Sequence, residues 1–131
     1  MFTLDELRVL HKAVLDAKFR PGGIPELRGS SLLASAARKI IERLEEGEPG
    51  RWNDFVRTEV WLRPEFDAAV ETAKLAAIWK TWCREEKVKA AKDLLGPFVP
   101  SRQDLDRFLR TVDEHFAPPE TNGPDSARNP P

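Results

Sequence analysis

The chain has 131 residues, of which 40% are hydrophobic and 33% are charged, and its formal net charge is -1. This length suits one domain with one core, and a charge near zero excludes a strong overall field for nucleic acid or an anionic membrane. The single cysteine, Cys83, excludes an internal disulfide and is typical of a reducing compartment. Because no apolar run has the length of a signal peptide or a membrane span, the sequence predicts a cytoplasmic protein.

Two helices are predicted in the first part of the chain. Thr3 and Glu6 have the spacing of a capping box, which predicts a helix over residues 4–19. A second helix is predicted over residues 32–46, where apolar residues recur at helical spacing and Gly47 follows as the expected cap. The prolines and paired glycines between these two segments predict a loop.

The third predicted helix covers residues 51–62 and has the weakest pattern. Its apolar residues fit helical spacing, but Val60 and Trp61 would also suit an extended segment. The last predicted helix follows Ser101 and carries the most regular apolar side in the chain. Beyond it, residues 118–131 are rich in proline and contain no large apolar residue, which predicts a disordered tail.

The segment from Pro64 to Leu95 predicts a long fourth helix that is apolar on two opposite sides. One side consists of Phe66, Ala69, Val70, Ala73 and Ala77, and the other consists of Leu75, Ile78, Trp79 and Trp82. A helix with two apolar sides needs two packing partners. The charged run that begins at Arg84 leaves open whether this helix is continuous or bent.

The second apolar side is the main candidate site. Its members have the i, i+3, i+4, i+7 spacing with which a helix lays anchor residues into a groove, and tryptophan is enriched among binding hot spots. They are Leu75, Ile78, Trp79 and Trp82. The structural alternative is that both tryptophans belong to the core.

Charge is distributed unevenly along the chain. Residues 45–71 contain eight acids and three bases, a net charge of -5, whereas residues 74–92 contain six bases and two acids, a net charge of +4. Such segments are typical of solvated helix faces of opposite sign that attract each other. The functional alternative is a dipole that steers a binding partner.

A small DNA-binding regulator is the second hypothesis. Residues 90–110 resemble a degenerate helix-turn-helix pair, whose second helix would enter the major groove. The turn is longer than in that motif, and Asp104 and Asp106 place negative charge at the start of the second helix, close to where phosphate would lie. The basic residues available for phosphate contacts are Arg102, Arg107, Arg110, Lys89 and Lys92.

No constellation of residues indicates an enzyme. His11, His115 and Cys83 lack the spacing of metal ligands, and the glycines match no phosphate-binding motif. We therefore expect no metal, no cofactor and no small-molecule substrate.

The sequence thus predicts an all-α protein with five helices over residues 1–117, the long fourth helix at its centre, and a disordered tail over residues 118–131. The predicted function is that of a non-enzymatic cytoplasmic protein–protein interaction module, an adaptor, an inhibitor or an assembly component. Its partner would be another protein or a second copy of the chain in a homodimer.

Overall fold

The computed structural model describes residues 2–20 and 24–118, and the regular secondary structure of these residues is entirely helical, with no strand among them. The predicted all-α class is confirmed. The described α-helices are α1 (Leu4–Phe19), α2 (Pro25–Arg28), α3 (Ser31–Gly47), α4 (Arg51–Arg57), α5 (Pro64–Lys74), α6 (Arg84–Leu95) and α7 (Arg102–Phe116). Two 3-10 turns cover Val60–Leu62 and Ala77–Thr81. The predicted tail lies outside the described residues from position 119 onward, as do residues 21–23 of the predicted loop.

The helix starts predicted from capping residues are confirmed. In α1 the Glu6 N–H donates to Thr3 Oγ1 at 3.1 Å, and the Thr3 N–H donates to Glu6 Oε1 at 2.8 Å. The same reciprocal pair opens α7, where Ser101 Oγ accepts from the Asp104 N–H at 3.1 Å and Asp104 Oδ2 accepts from the Ser101 N–H at 2.9 Å. These contacts satisfy N–H groups that have no partner within the helix.

The predicted number of five helices and the long fourth helix are wrong. The segment from Pro64 to Leu95 consists of α5, the 3-10 turn Ala77–Thr81 and α6, so it breaks twice. The predicted helix over residues 51–62 ends at Arg57, before a separate 3-10 turn. The short α2 lies where the sequence pattern indicated only a loop.

Burial of Trp79 gives a physical reason for the break after α5. No glycine or proline lies between residues 65 and 95, but a continuous helix would hold Trp79 on the side opposite the core stripe of α5. Burying a tryptophan removes about 150 to 250 Å² from water, which stabilises the fold by about 4 to 6 kcal/mol. Shorter-range bonds replace part of the helical ladder, since Leu75 N–H donates to Thr72 O at 3.1 Å and Trp79 N–H donates to Ala76 O at 2.9 Å.

Buried side chains from α1 and from α3 to α7 form one connected apolar cluster among the described residues. It includes Leu7, Ile41, Leu44, Trp52, Val56, Phe66, Val70, Trp79, Leu95, Phe98, Phe108 and Val112. Phe108 joins two parts of it, since its ring centroid lies 5.5 Å from that of Phe66 and 6.2 Å from that of Trp79. In the described residues, none of the helices is both long enough and apolar enough to cross a membrane.

Two basic side chains hold the C-terminal end of α6 against α1 and α3. The buried Lys18 Nζ donates to the carbonyl oxygens of Asp93 and Gly96, both at 2.6 Å, and Arg38 Nη2 donates to Lys92 O at 2.9 Å. Burial lowers the pKa of Lys18 to about 8, with the charge of Arg38 acting in the same direction and that of Asp93 opposing it. A Cβ at Gly96 would lie 3.1 Å from the Cβ of Ala34, so a residue without a side chain permits this close approach to α3.

Among the described residues, the basic segment at residues 74–92 forms more ion pairs with α7 than with the acidic segment at residues 45–71. Lys87 Nζ lies 2.9 Å from Asp113 Oδ1, and Arg84 pairs with Asp106. Among the described ion pairs, Lys74 with Glu71 at 3.0 Å links the two charged segments. Attraction between segments of opposite sign is therefore a small part of what holds this fold.

Candidate partner-binding groove

The four residues of the candidate site do not share one face. Trp79 is 1% exposed and belongs to the core, whereas Leu75 is 78% exposed and Ile78 is 57% exposed. Trp82 is half-buried and packs against the edge of the core. The break after α5 thus divides a row that the sequence pattern treats as continuous into a buried part and an exposed part.

A groove of about 600 Å³ opens beside this row. Three of the four candidate residues line it, namely Leu75, Trp79 and Trp82, while Ile78 lies outside its walls. The remaining walls come from the connection between α2 and α3, from the end of α5 and from α6. We call this the tryptophan groove, and its wall residues include Gly29, Ser31, Thr72, Ala76, Ala90 and Leu94.

Local contacts hold the groove walls in place. Arg28 Nη1 donates to Thr72 Oγ1 at 3.3 Å, which holds α2 against α5. The Trp82 ring lies 6.2 Å from the Trp79 ring, centroid to centroid, at an interplanar angle of 47°. The half-buried Trp82 thus lies within aromatic-pair distance of the buried Trp79 ring, in a tilted arrangement.

The orientation of Trp79 is set by polar contacts to α6 and α7. Its Nε1–H donates to Asp113 Oδ1 at 2.8 Å, and Lys87 Nζ donates to the same oxygen at 2.9 Å. The Lys87 Nζ also lies 5.8 Å from the Trp79 ring centroid, within cation–π distance. Partial burial acts to raise the pKa of Asp113, but the hydrogen bonds from Trp79 and Lys87 and the charge of Lys87 outweigh it, so the pKa is lowered.

One lip of the tryptophan groove is charged and the other is apolar. The charged lip belongs to α6 and carries Glu86, Lys89 and Asp93. Glu86 Oε1 accepts from the Cys83 N–H at 2.9 Å, and Lys89 Nζ lies 3.1 Å from Asp93 Oδ2. The opposite lip is formed by Leu75 and its neighbours, so the groove offers apolar burial with polar contacts along one edge.

The residues proposed for DNA contact are only partly brought together. Lys89, Lys92 and Arg102 line a second depression of about 530 Å³, where they are joined by Arg38 from α3. We call this the basic cleft. Arg107 lies apart, with its guanidinium carbon 4.2 Å from the Trp61 ring centroid. The last of the set, Arg110, lines another shallow depression together with Asp113 and Glu114.

Sequence patterns missed the wall residues of the groove and the contribution of Arg38. Gly29 and Ser31 are more than 40 positions from Leu75, and helical periodicity relates only residues of one helix. Arg38 is likewise separated from Lys92 by 54 positions. To predict that Leu75 and Ile78 are exposed would have required knowledge of the helix break.

Within residues 2–20 and 24–118, no group of three or more histidine, cysteine, aspartate or glutamate side chains is placed to hold a metal ion. Cys83 is exposed and is the single thiol of the chain. Searches against protein-family models, curated proteins and solved structures found no match to this chain.

Proposed function

We propose that the protein is a non-enzymatic, cytoplasmic protein–protein interaction module that binds its partner through the tryptophan groove. The observation that supports this most directly is the exposure of Leu75 and Ile78, at 78% and 57%, beside a concave apolar surface. Single exposed apolar residues are ordinary. Leu75 lines the wall of an apolar groove and Ile78 lies three positions further along the chain, and exposed apolar side chains beside an apolar groove are typical of a binding site.

The physical gain from covering these residues is substantial. Complete burial of a leucine or isoleucine is worth about 1.5 to 3 kcal/mol. Scaled by the exposed fractions of Leu75 and Ile78, their burial contributes about 2 to 4 kcal/mol. Micromolar binding needs a net gain of about 8 kcal/mol, in addition to what offsets the cost of association, so contacts with Trp82 and with the charged lip would have to supply the rest.

An amphipathic helix of another protein is the occupant that this groove fits best. Its apolar residues would lie against Leu75 and Trp82, and its polar edge would face Glu86 and Lys89 on α6. This is the general arrangement of helix-in-groove recognition. Charges on α6 would then set orientation and encounter rate more than affinity. A second copy of the chain is the other possible occupant, and it would give a homodimer.

The test is capture of the partner from the native host with two matched double variants. In Leu75→Ser/Ile78→Ser the exposed leucine of the groove wall and the exposed isoleucine three positions after it are both replaced. In the control, Val9→Ser/Leu62→Ser, two residues of similar exposure, 67% and 55%, are removed away from the groove. Thermal unfolding of each variant verifies that it is folded.

We expect the wild type and the control to retain a stoichiometric protein, or to dimerise, and the groove variant to lose it. If both variants retain the captured protein, binding takes place elsewhere on the molecule. Loss by both would show that general surface hydrophobicity, and not the groove, holds the captured protein.

A further inference from the structure

The basic cleft carries an excess of positive charge that the fold does not neutralise. Of the residues that the structure describes, four with cationic side chains line it, Arg38, Lys89, Lys92 and Arg102, and the one acid beside them is Asp93. Asp93 lies 3.1 Å from Lys89 and 3.8 Å from Arg38. Among the described residues, neither Lys92 nor Arg102 lies within ion-pair distance of a carboxylate.

The floor of the cleft is apolar. Val99 is 41% exposed and Phe98 beneath it is 2% exposed, while Leu105 is half-buried. The Val99 N–H donates to Val56 O at 2.8 Å, which fixes the connection between α6 and α7 at this edge. An occupant of matching chemistry therefore combines negative charge with some apolar surface.

The tryptophan groove and the basic cleft share a boundary. Lys89 and Asp93 line both depressions, so the two surfaces lie on either side of one ridge on α6. A helix is about 10 Å across, a width that about three or four extended residues can span. A single bound segment is long enough to reach from one depression into the other.

We propose that the segment of a protein partner that occupies the tryptophan groove continues over the Lys89–Asp93 ridge and places acidic side chains in the basic cleft. This inference rests on the proposed function of the groove. Carboxylates there would form charge-assisted hydrogen bonds with Lys92 and Arg102, which are stronger than bonds between neutral groups. The proposal thereby assigns the partner a chemistry, apolar at one end and acidic at the other.

An acidic peptide fits this surface better than duplex DNA does. Arg102 starts α7, but Asp106, Asp113 and Glu114 are exposed further along the same helix. A duplex lying along α7 would bring phosphates near those carboxylates, which costs binding energy. A short peptide confined to the cleft avoids them.

The probe is a library of random peptides of about 12 residues, displayed on phage and selected on the full-length wild-type protein. Enriched peptides are synthesised with a fluorescent label, and their affinities are measured by anisotropy. The cleft variant is Lys92→Glu/Arg102→Glu, and the groove variant is Leu75→Ser/Ile78→Ser. A matched charge control is Lys39→Glu/Arg43→Glu, which reverses two exposed charges of α3 outside the cleft.

We expect the enriched peptides to carry a cluster of aspartate or glutamate next to large apolar residues. The cleft variant should weaken their binding at least about tenfold, the effect of losing a charge-assisted contact. Affinity should also fall as salt rises, because screening shortens the range of exposed charges. The charge control should change affinity by less than about twofold.

Peptides whose affinity falls in the groove variant but not in the cleft variant would overturn this inference and leave the proposed function standing. Peptides whose affinity falls only in the cleft variant would overturn it as well, because the two depressions would then bind separately. Failure to enrich any peptide that depends on Leu75 or Ile78 would count against both proposals. Binding of a duplex of about 20 base pairs at low salt, lost in the cleft variant and competing with the peptides, would replace the acidic peptide by nucleic acid.

Discussion

Trp79 and Leu75 are four positions apart in the sequence and lie in opposite environments. Trp79 is 1% exposed, contacts Phe108 and donates to Asp113, while Leu75 is 78% exposed at the edge of the groove. In a continuous helix these two side chains would share a face. The chain leaves α5 at Leu75 and is extended at Ala76 before it enters the 3-10 turn that contains Trp79, so one apolar row provides both a core anchor and an exposed surface. A helix break can thus place neighbouring apolar residues in the core and on the surface.

The largest effect is expected from removing the buried member of the row. Trp79→Ala should lower the free energy of unfolding by about 3 to 5 kcal/mol, because it deletes a large core side chain and leaves a cavity. Urea denaturation measures it. Trp79→Phe is the matched control, since it keeps an aromatic ring but removes the Nε1–H donor to Asp113, and it should cost only about 1 to 3 kcal/mol. A loss below about 1 kcal/mol for Trp79→Ala would contradict the buried position.

A buried cation is expected to have the next largest effect. Lys18→Met should destabilise the protein by about 2 kcal/mol, because the carbonyl oxygens of Asp93 and Gly96 lose their buried donor. Lys12→Met, at an exposed position of the same helix, is the control and should change stability by less than about 0.5 kcal/mol. Both values come from the same denaturation experiment, and equal effects of the two variants would show that Lys18 does not hold the end of α6.

The buried side of α1 should also give the protein a pH dependence. His11 contacts the rings of Trp52 and Phe55, with centroid distances of 5.1 and 5.5 Å, and burial, aided by the charge of Lys12, lowers its pKa. In the unfolded chain His11 takes up a proton below its ordinary pKa of about 6.5, whereas in the folded chain it takes one up only at a lower pH. The stability of the fold therefore falls as pH decreases. From about pH 7.5 to about pH 5.5 the loss attributable to His11 is at most about 1.4 kcal/mol. Denaturation of His11→Phe at both pH values should show a smaller loss, and an unchanged loss would rule His11 out as its source.

The smallest effect on stability is expected at the exposed members of the row. Leu75→Ser and Ile78→Ser should each change the free energy of unfolding by less than about 0.5 kcal/mol, the range of ordinary surface substitutions. Calorimetry or urea denaturation gives the value. A loss of about 2 kcal/mol or more at either position would mean that the side chain is packed in the folded state. It would contradict the exposed apolar surface beside the groove.

Local signals explain why parts of this fold could be predicted from the sequence. Thr3 and Ser101 cap helices through contacts that span three residues, so their patterns are complete within a short stretch of sequence. The break after Lys74 has no such signal, because Leu75 and Ala76 are good helix formers. It depends on the burial of Trp79 against Phe108, and that contact joins residues 29 positions apart.

The candidate site shows the same limit. Periodicity placed Leu75 and Trp82 on an apolar side that needs a second packing partner, and both line the tryptophan groove. It also grouped them with Trp79, which the fold buries. The basic cleft combines Arg38 with Lys92 and Arg102, a set that arises only when α3 packs against the end of α6.

Hydrogen exchange of the four tryptophan indole N–H groups, followed by NMR and assigned with single Trp→Phe variants, tests the division of the apolar row most directly. We predict that the Trp79 indole, buried and bonded to Asp113, exchanges at least about a hundredfold more slowly than that of Trp61, which is 40% exposed. Exchange of Trp79 as fast as that of Trp61 would contradict the account, since the break after α5 would then not turn this side chain into the core.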